Sequence, residues 1–295
     1  MALRAYAFLT LTALLWSGNA IAGRMAVGHV SPFLLTSMRW AFCFVAATLI
    51  AAPRLKRDWP ALKRHAGLLF ALGAGGFTCF NAIFYTAAHY TTAINIVIMQ
   101  SGMPLVVFAI SFALFRTRVT SSQVAGFLLT LIGVLVTAAN GSLVRLLHLH
   151  LNTGDALMLL AILFYGSYTA ALRWKPQMHW MSFMAALSAA AFAASIPFTL
   201  WEMAQGTVQW PDARGWGVAL YAGFFPGLIA QASFIAGAGL IGGNRAGLFV
   251  NLVPVFGAIL SVTILGEALR PYHVLGLALV LSGLALAERR RPAKA

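Results

Sequence analysis

Ten runs of mostly apolar residues follow one another along the chain, near 5–23, 32–52, 66–88, 92–115, 121–139, 154–173, 180–201, 215–236, 244–265 and 272–288. A helix crossing the ~30 Å hydrocarbon layer of a bilayer needs about 20 such residues. Lipid offers backbone N–H and C=O groups no partner, and these runs are long and not alternating, so helices are expected and strands are not. Charge is also too scarce for a chain solvated by water. Only 9% of the residues are charged, against roughly 25% in a soluble domain. The expected fold is an all-α membrane protein of ten transmembrane helices. The first run, with Arg4 before it and Ala20-Ile21-Ala22 near its end, imitates a secretory signal peptide. A counterpart later in the chain argues against that reading.

The net charge of +14 invites a nucleic-acid partner, but the positions of the cations argue for topology. With the N-terminus on face A, that face receives Arg4, Arg54, Lys56, Arg57, Lys63, Arg64, Arg116, Arg118, Arg173, Lys175, Arg245, Arg289, Arg290, Arg291 and Lys294. Face B receives Arg24, Arg145, Arg214 and Arg270, and Arg39 falls inside the second run. The positive-inside rule makes face A cytoplasmic and places both termini there. Cys43 and Cys79 sit in apolar runs and read as small core residues.

The chain also repeats itself. At an offset of 150 residues, Arg64 recurs as Arg214, Gly73 as Gly223, Phe84 as Phe234, Pro104 as Pro254, Gly126 as Gly276 and Gly133 as Gly283, without a gap. The organisation expected is a first five-helix unit over 1–139, a periplasmic linker over 140–153, a second unit over 154–288 and a basic cytoplasmic tail over 289–295. Five is an odd number, so the two units enter the membrane in opposite senses. Inverted repeats of this kind are the architecture of many secondary transporters, because two similar halves can exchange conformations around a fixed site.

Asn251-Leu252-Val253-Pro254-Val255-Phe256, then Gly266-Glu267-Ala268-Leu269, then Gly276 and Gly283, resemble the C-terminal repeat of EamA-type members of the drug/metabolite transporter superfamily. Gly154-Asp155 fits the same pattern, and Trp16-Ser17-Gly18-Asn19 with Arg39 resembles the start of the first repeat. The similarity covers essentially the whole chain and its motifs are diffuse. The layout is most similar to YddG-like amino-acid exporters. The resemblance implies export of amino acids or related metabolites from a bacterial inner membrane, while other members carry drugs or nucleotide sugars. Thr117 stands where the second repeat has Glu267, a departure that weakens any essential transport role for that glutamate.

Polar residues inside spans face a cavity or another helix and not lipid. In the third run Thr78, Asn81, Tyr85 and His89 fall on one helical face, and Gln231 holds the position equivalent to Asn81. The first run offers Thr12, Trp16 and Asn19, and the sixth places Tyr165 and Tyr168 at the positions of Trp16 and Asn19. Asn95, Gln100 and Ser101 come from the fourth, and Asn244 and Asn251 from the ninth. The expected substrate-binding set is Trp16, Asn19, Thr78, Asn81, Tyr85, Asn95, Gln100, Tyr165, Tyr168, Gln231, Asn244 and Asn251. Together they describe an uncharged central cavity suited to a neutral or zwitterionic solute, such as a neutral or aromatic amino acid. Helix-to-helix hydrogen bonding is the competing use for each of these residues. Arg39 is read as holding helices together or reaching a polar group.

Pro104, Pro226 and Pro254 interrupt their runs and are candidate hinges or gates, or static kinks. The glycines at 223 and 227, and Gly239 with Gly243, read as sites of close helix packing. The six acids, Asp58, Asp155, Glu202, Asp212, Glu267 and Glu288, all fall in gaps or near span ends. No carboxylate is placed for proton coupling, so facilitated diffusion or exchange is expected. Gly237-Ala238-Gly239-Leu240-Ile241-Gly242 has dinucleotide-loop spacing but lacks the strand that such a loop requires. His148 and His150 have no acidic partner nearby, and neither a catalytic triad nor a metal cluster is visible. No catalytic residue, metal or cofactor is expected. The partners expected are a small-molecule substrate and the lipid bilayer, not nucleic acid, with the chain as a monomer or homodimer. A multidrug exporter is the alternative within the superfamily. A channel or an intramembrane enzyme is the alternative outside it.

Overall fold

The structure is a computed structural model that describes residues 2–116, 120–142, 152–241, 246 and 249–288. Thr117, Asn244, Arg245, the His148/His150 pair, Gly242, Gly243 and the basic tail lie outside the described residues. Helices account for every regular element among the described residues, and eight of them are long and apolar enough to cross a membrane. With the two shorter apolar helices there are ten. They are α1 (Ala2–Ala26), α2 (Pro32–Arg64), α3 (Ala66–Ala87), α4 (Ala93–Leu114), α5 (Ser121–Ala138), α6 (Thr153–Trp174), α7 (Trp180–Ala204), α8 (Ala213–Ile241), α9 (Leu252–Leu265) and α10 (Pro271–Glu288).

Contacts between the halves come in matched sets. α2 lies along α7, and α5 lies along α10. α1 packs on α8 and α9, while its counterpart α6 packs on α3 and α4. The self-paired helices run antiparallel. Ser37 Oγ meets Ser195 Oγ at 2.8 Å, and four residues earlier in α2 the Phe33 carbonyl accepts from Thr199 Oγ1 at 3.2 Å. Between α5 and α10, Gly126 meets Gly283 and Gly133 meets Gly276, two of the glycine pairs that the offset relates, each crossed over to the other's partner. Antiparallel contact between equivalent helices is what inverted repeats require.

α2 continues well past its apolar end at residue 52, to Arg64, through Pro53 and Pro60. The extension carries most of the early cations, and Asp58 Oδ2 accepts the backbone N–H of His179 at 3.0 Å. Apolarity marks where lipid ends, whereas a charged helix persists in water, so the sequence pattern stopped this element early.

Four departures from regular helix pair across the repeat. α3 widens to a π-turn at Ala74–Cys79, and α8 does so at Phe225–Ile229. α4 breaks at Ser101 and Gly102, between Ala93–Gln100 and Met103–Phe115. The helical stretch of α9 begins at Leu252, just after Asn251, which is equivalent to Ser101. Pro104 and Pro254 sit three residues beyond these breaks, where a missing N–H costs little in a first turn. Pro226 lies inside the π-turn of α8, but α3 makes the same turn with Gly76 at that position. Proline is therefore not required for the widening.

The glycines divide by position. A Cβ on Gly223 would lie 2.9 Å from Phe42 Cβ, and one on Gly237 would lie 2.6 Å from Leu9 Cγ, so both mark close packing. Gly239 meets nothing within 4 Å, so the close packing expected there is absent, and its neighbour Gly237 makes the contact in its place.

Candidate functional site

The repeats enclose a cavity of about 730 Å³. All four irregular turns border it, through Phe77, Gln100 and Ser101, Pro226 and Gly227, and Asn251. Irregular backbone at membrane depth is tolerated where it lines a cavity and not where it faces lipid. Large exposed apolar residues such as Leu49, Leu128, Leu163 and Leu275 lie elsewhere, on the outer surface of the bundle.

The cavity wall brings together Trp16, Asn19, Asn81, Gln100, Tyr165, Tyr168, Gln231 and Asn251, together with Pro104, Pro226 and Pro254. Aromatic contacts build its sides. Trp16 lies 5.5 Å from Phe234, Tyr165 lies 4.9 Å from Phe80, and Phe77 packs between Trp40 at 4.4 Å and Tyr168 at 5.3 Å. Asn81 Nδ2 donates to the Phe77 carbonyl at 2.7 Å, an acceptor in the π-turn. Its Oδ1 is buried without a partner among the described residues.

Thr78, Tyr85 and Asn95 are not part of this wall. Thr78 lies inside the wide turn of α3, which shifts its phase relative to Asn81, whereas Tyr85 follows Asn81 by one regular turn. Thr78 Oγ1 donates to the Ala191 carbonyl on α7 at 2.7 Å. Tyr85 is buried behind the cavity, where its hydroxyl donates to Asn19 Oδ1 at 2.9 Å and accepts from Arg39 Nη1 at 2.6 Å. Asn95 belongs to a polar cluster nearer face B. Its Nδ2 reaches Asp155 Oδ1 at 3.3 Å, and Thr91 Oγ1 donates to the same oxygen at 2.6 Å. His273 Nδ1 accepts from the Arg270 backbone N–H at 3.0 Å, so its Nε2 carries the proton and donates to Asn95 Oδ1 at 3.0 Å.

Arg39 changes the electrostatics expected for the cavity. Its side chain is 6% exposed and forms part of the wall, so the pocket carries a positive charge and is not the uncharged one read from the sequence. Nη1 donates to both Asn19 and Tyr85, so Arg39 does hold α1, α2 and α3 together. The signal for its second role was available, since it is the one Lys or Arg that stands inside an apolar run and not at its end. Trp40, Phe77 and Phe234 also line the wall and were missed, because an aromatic residue in an apolar run carries no mark of its facing.

Two further acids, Glu267 and Glu202, serve helix starts. Glu267 accepts from the backbone N–H groups of Ala93 at 2.8 Å and Ile94 at 3.0 Å, an anion at the positive end of α4, with Arg24 Nε 4.0 Å away. Glu202 does the same for α2, accepting from Ser31 Oγ at 2.7 Å and the Leu34 N–H at 3.1 Å. Outside the spans, Asp212 caps α8 through the Gly215 N–H at 2.8 Å and pairs with His29 at 2.7 Å. Those two contacts, the Gly215 amide first, hold its carboxyl below the usual range. Among the described residues no group of three His, Cys, Asp or Glu can hold a metal ion.

Known proteins share this architecture. The model of the EamA-like transporter family matches residues 3–139 and again residues 152–288. The uncharacterized transporter YetK of Bacillus subtilis (strain 168) is 23% identical, over 95% of this chain and 85% of its own. The uncharacterized transporter YyaM of the same organism is 26% identical, over 90% and 87%. A solved structure described as "Crystal structure of protein" superposes with a TM-score of 0.65 at 20% identity, covering 97% of this chain and 96% of its own, a likeness of fold. With ten membrane helices, two inverted halves and a family match in each half, the chain belongs to the EamA-like transporter family.

Proposed function

We propose that this transporter exports neutral or aromatic amino acids across a bacterial inner membrane by alternating access. The observation that carries the reading is the cavity between the inverted halves, walled by Trp16, Tyr165 and Tyr168 and fitted with the carboxamides of Asn81, Gln100, Gln231 and Asn251. Its volume of about 730 Å³ falls within the roughly 300–1,000 Å³ range of small-molecule sites. Carboxamides recognise by hydrogen bonds, and rings accept an apolar side chain.

Transport is facilitated or by exchange, without proton coupling. Among the described residues no acid lines the cavity, and Asp155, Glu202 and Glu267 are committed to hydrogen bonds with Thr91, Asn95, Ser31 and the starts of α2 and α4. Both termini face the cytoplasm, by the distribution of cations between the two faces. The paired π-turns and helix breaks, with Pro104, Pro226 and Pro254 in or just beyond them, serve as the points of bending.

The deciding experiment is counterflow with labelled amino acids in proteoliposomes, with and without an imposed pH gradient. Saturable, counterflow-stimulated uptake of neutral or aromatic members is expected, with little dependence on the gradient. Linear, unsaturable flux would indicate a channel. A strong response of initial rate to the gradient would overturn the uncoupled mechanism.

A further inference from the structure

We infer that the cavity recognises its solute by a carboxylate held at Arg39 and offers no matching charge to an amine, so that monocarboxylates lacking an amino group are also ligands. The inference takes the central cavity as the solute site, as the reading above does, and adds which part of the solute decides binding.

Arg39 is buried in the wall of the cavity with no carboxylate at ion-pair distance among the described residues. Its Nη1 is tied to Asn19 and Tyr85, its guanidinium lies 5.0 Å from the Trp40 ring, and its buried Nε has no acceptor among the described residues. The tether fixes the cation in place, while the neutral partners leave its charge uncompensated. An uncompensated charge away from water is costly, and an entering anion relieves that cost. Arginine is also suited to carboxylates through its planar fork of donors. One guanidinium balances one negative charge, which favours a monocarboxylate over a phosphate dianion. An ammonium group meets only neutral acceptors here, such as Asn81 Oδ1, and the field of Arg39 opposes it. The remaining wall is aromatic and accepts an aryl or branched body.

The test uses three ligands that share one body: phenylalanine, 3-phenylpropionate and 2-phenylethylamine. Trp16 and Trp40 in the wall report binding to the purified full chain in detergent by fluorescence. The two carboxylates are expected to bind within about tenfold of each other and the amine about 10–100-fold more weakly, the range expected for losing a hydrogen bond to a charged group. Arg39→Lys should keep this order and Arg39→Gln should erase it. If Arg39→Gln does not fold, the ligand series on the native chain and on Arg39→Lys still decides. The inference is overturned if the amine binds as tightly as the acids, if 3-phenylpropionate fails while phenylalanine binds, or if none of the three binds. Counterflow with the same ligands separates the two readings. Carboxylate-selective binding without counterflow would sink the transport mechanism alone, and counterflow without carboxylate preference would sink this inference alone.

Discussion

Gly133 on α5 meets Gly276 on α10 backbone to backbone: a Cβ on Gly133 would lie 2.7 Å from the Gly276 carbonyl oxygen. Gly126 and Gly283 repeat the contact two turns away, where a Cβ on Gly126 would lie 2.6 Å from the Ala287 nitrogen. Neither helix can retreat without losing the seam, so larger residues are expected to force the pair apart. Gly133→Val should cost about 1–3 kcal/mol by overpacking, read as a lower melting midpoint in detergent. Gly239→Ala, built into open space, is the control and should leave the midpoint nearly unchanged.

Tyr85 acts on the cavity through Arg39. Tyr85→Phe removes a hydroxyl that accepts from Nη1 at 2.6 Å and donates to Asn19 at 2.9 Å. A hydrogen bond to a charged group contributes about 1.5–3 kcal/mol. The variant should fold and insert, yet weaken binding of a carboxylate solute by about tenfold or more, measured by the fluorescence titration. Unchanged affinity would show that the tether is dispensable.

The π-turns predict an asymmetry between two mild substitutions. α3 makes its wide turn without proline, so Pro226→Ala should leave the α8 turn and the counterflow rate close to native. Gly76→Ala places a methyl into the Tyr168 ring, which is part of the cavity wall. Counterflow should fall by about tenfold or more, the scale on which small misplacements at a site are felt.

Glu202 supports the start of α2 from a buried position. Glu202→Ala would strand the Leu34 N–H and the Ser31 hydroxyl, at a cost of about 1–3 kcal/mol, read as a lower melting midpoint with solute binding retained. A larger change in affinity than in stability would place Glu202 in the recognition chemistry instead.

Asp212 gives a pH signature. Its folded-state carboxyl titrates below the ordinary value because the Gly215 amide and His29 favour the charged form. A depressed value means that the contribution to stability is present above the unfolded value of about 4 and is lost as pH falls through the lower folded one. Asp212→Asn keeps an amide oxygen for the cap and should flatten the acid side of the stability curve. An unchanged curve would remove Asp212 from that role.

The fold was legible because each apolar run records a lipid contact and the proline and glycine matches record the repeat. The cavity was legible at several polar residues that stand in otherwise apolar runs, Asn19, Gln100 and Asn251 among them. What escaped was phase and partnership. The π-turn in α3 turned Thr78 toward Ala191, and nothing in Ala74–Cys79 announces a wide turn, while Tyr85, one regular turn beyond Asn81, is taken up by Arg39 and Asn19. Asn95 looked like a lining residue because its partners, Asp155 and His273, lie 60 and 178 positions away in the chain. The extension of α2 escaped because hydropathy marks the edge of lipid and not the end of a helix.

The placement of the four irregular turns has a mechanical consequence. At these turns, peptide groups with imperfect pairing are gathered on the inner surface of the bundle. Compliance is thereby concentrated around the solute, where water or the solute itself can re-pair a released carbonyl. A change of shape at the centre then breaks nothing against the oil outside.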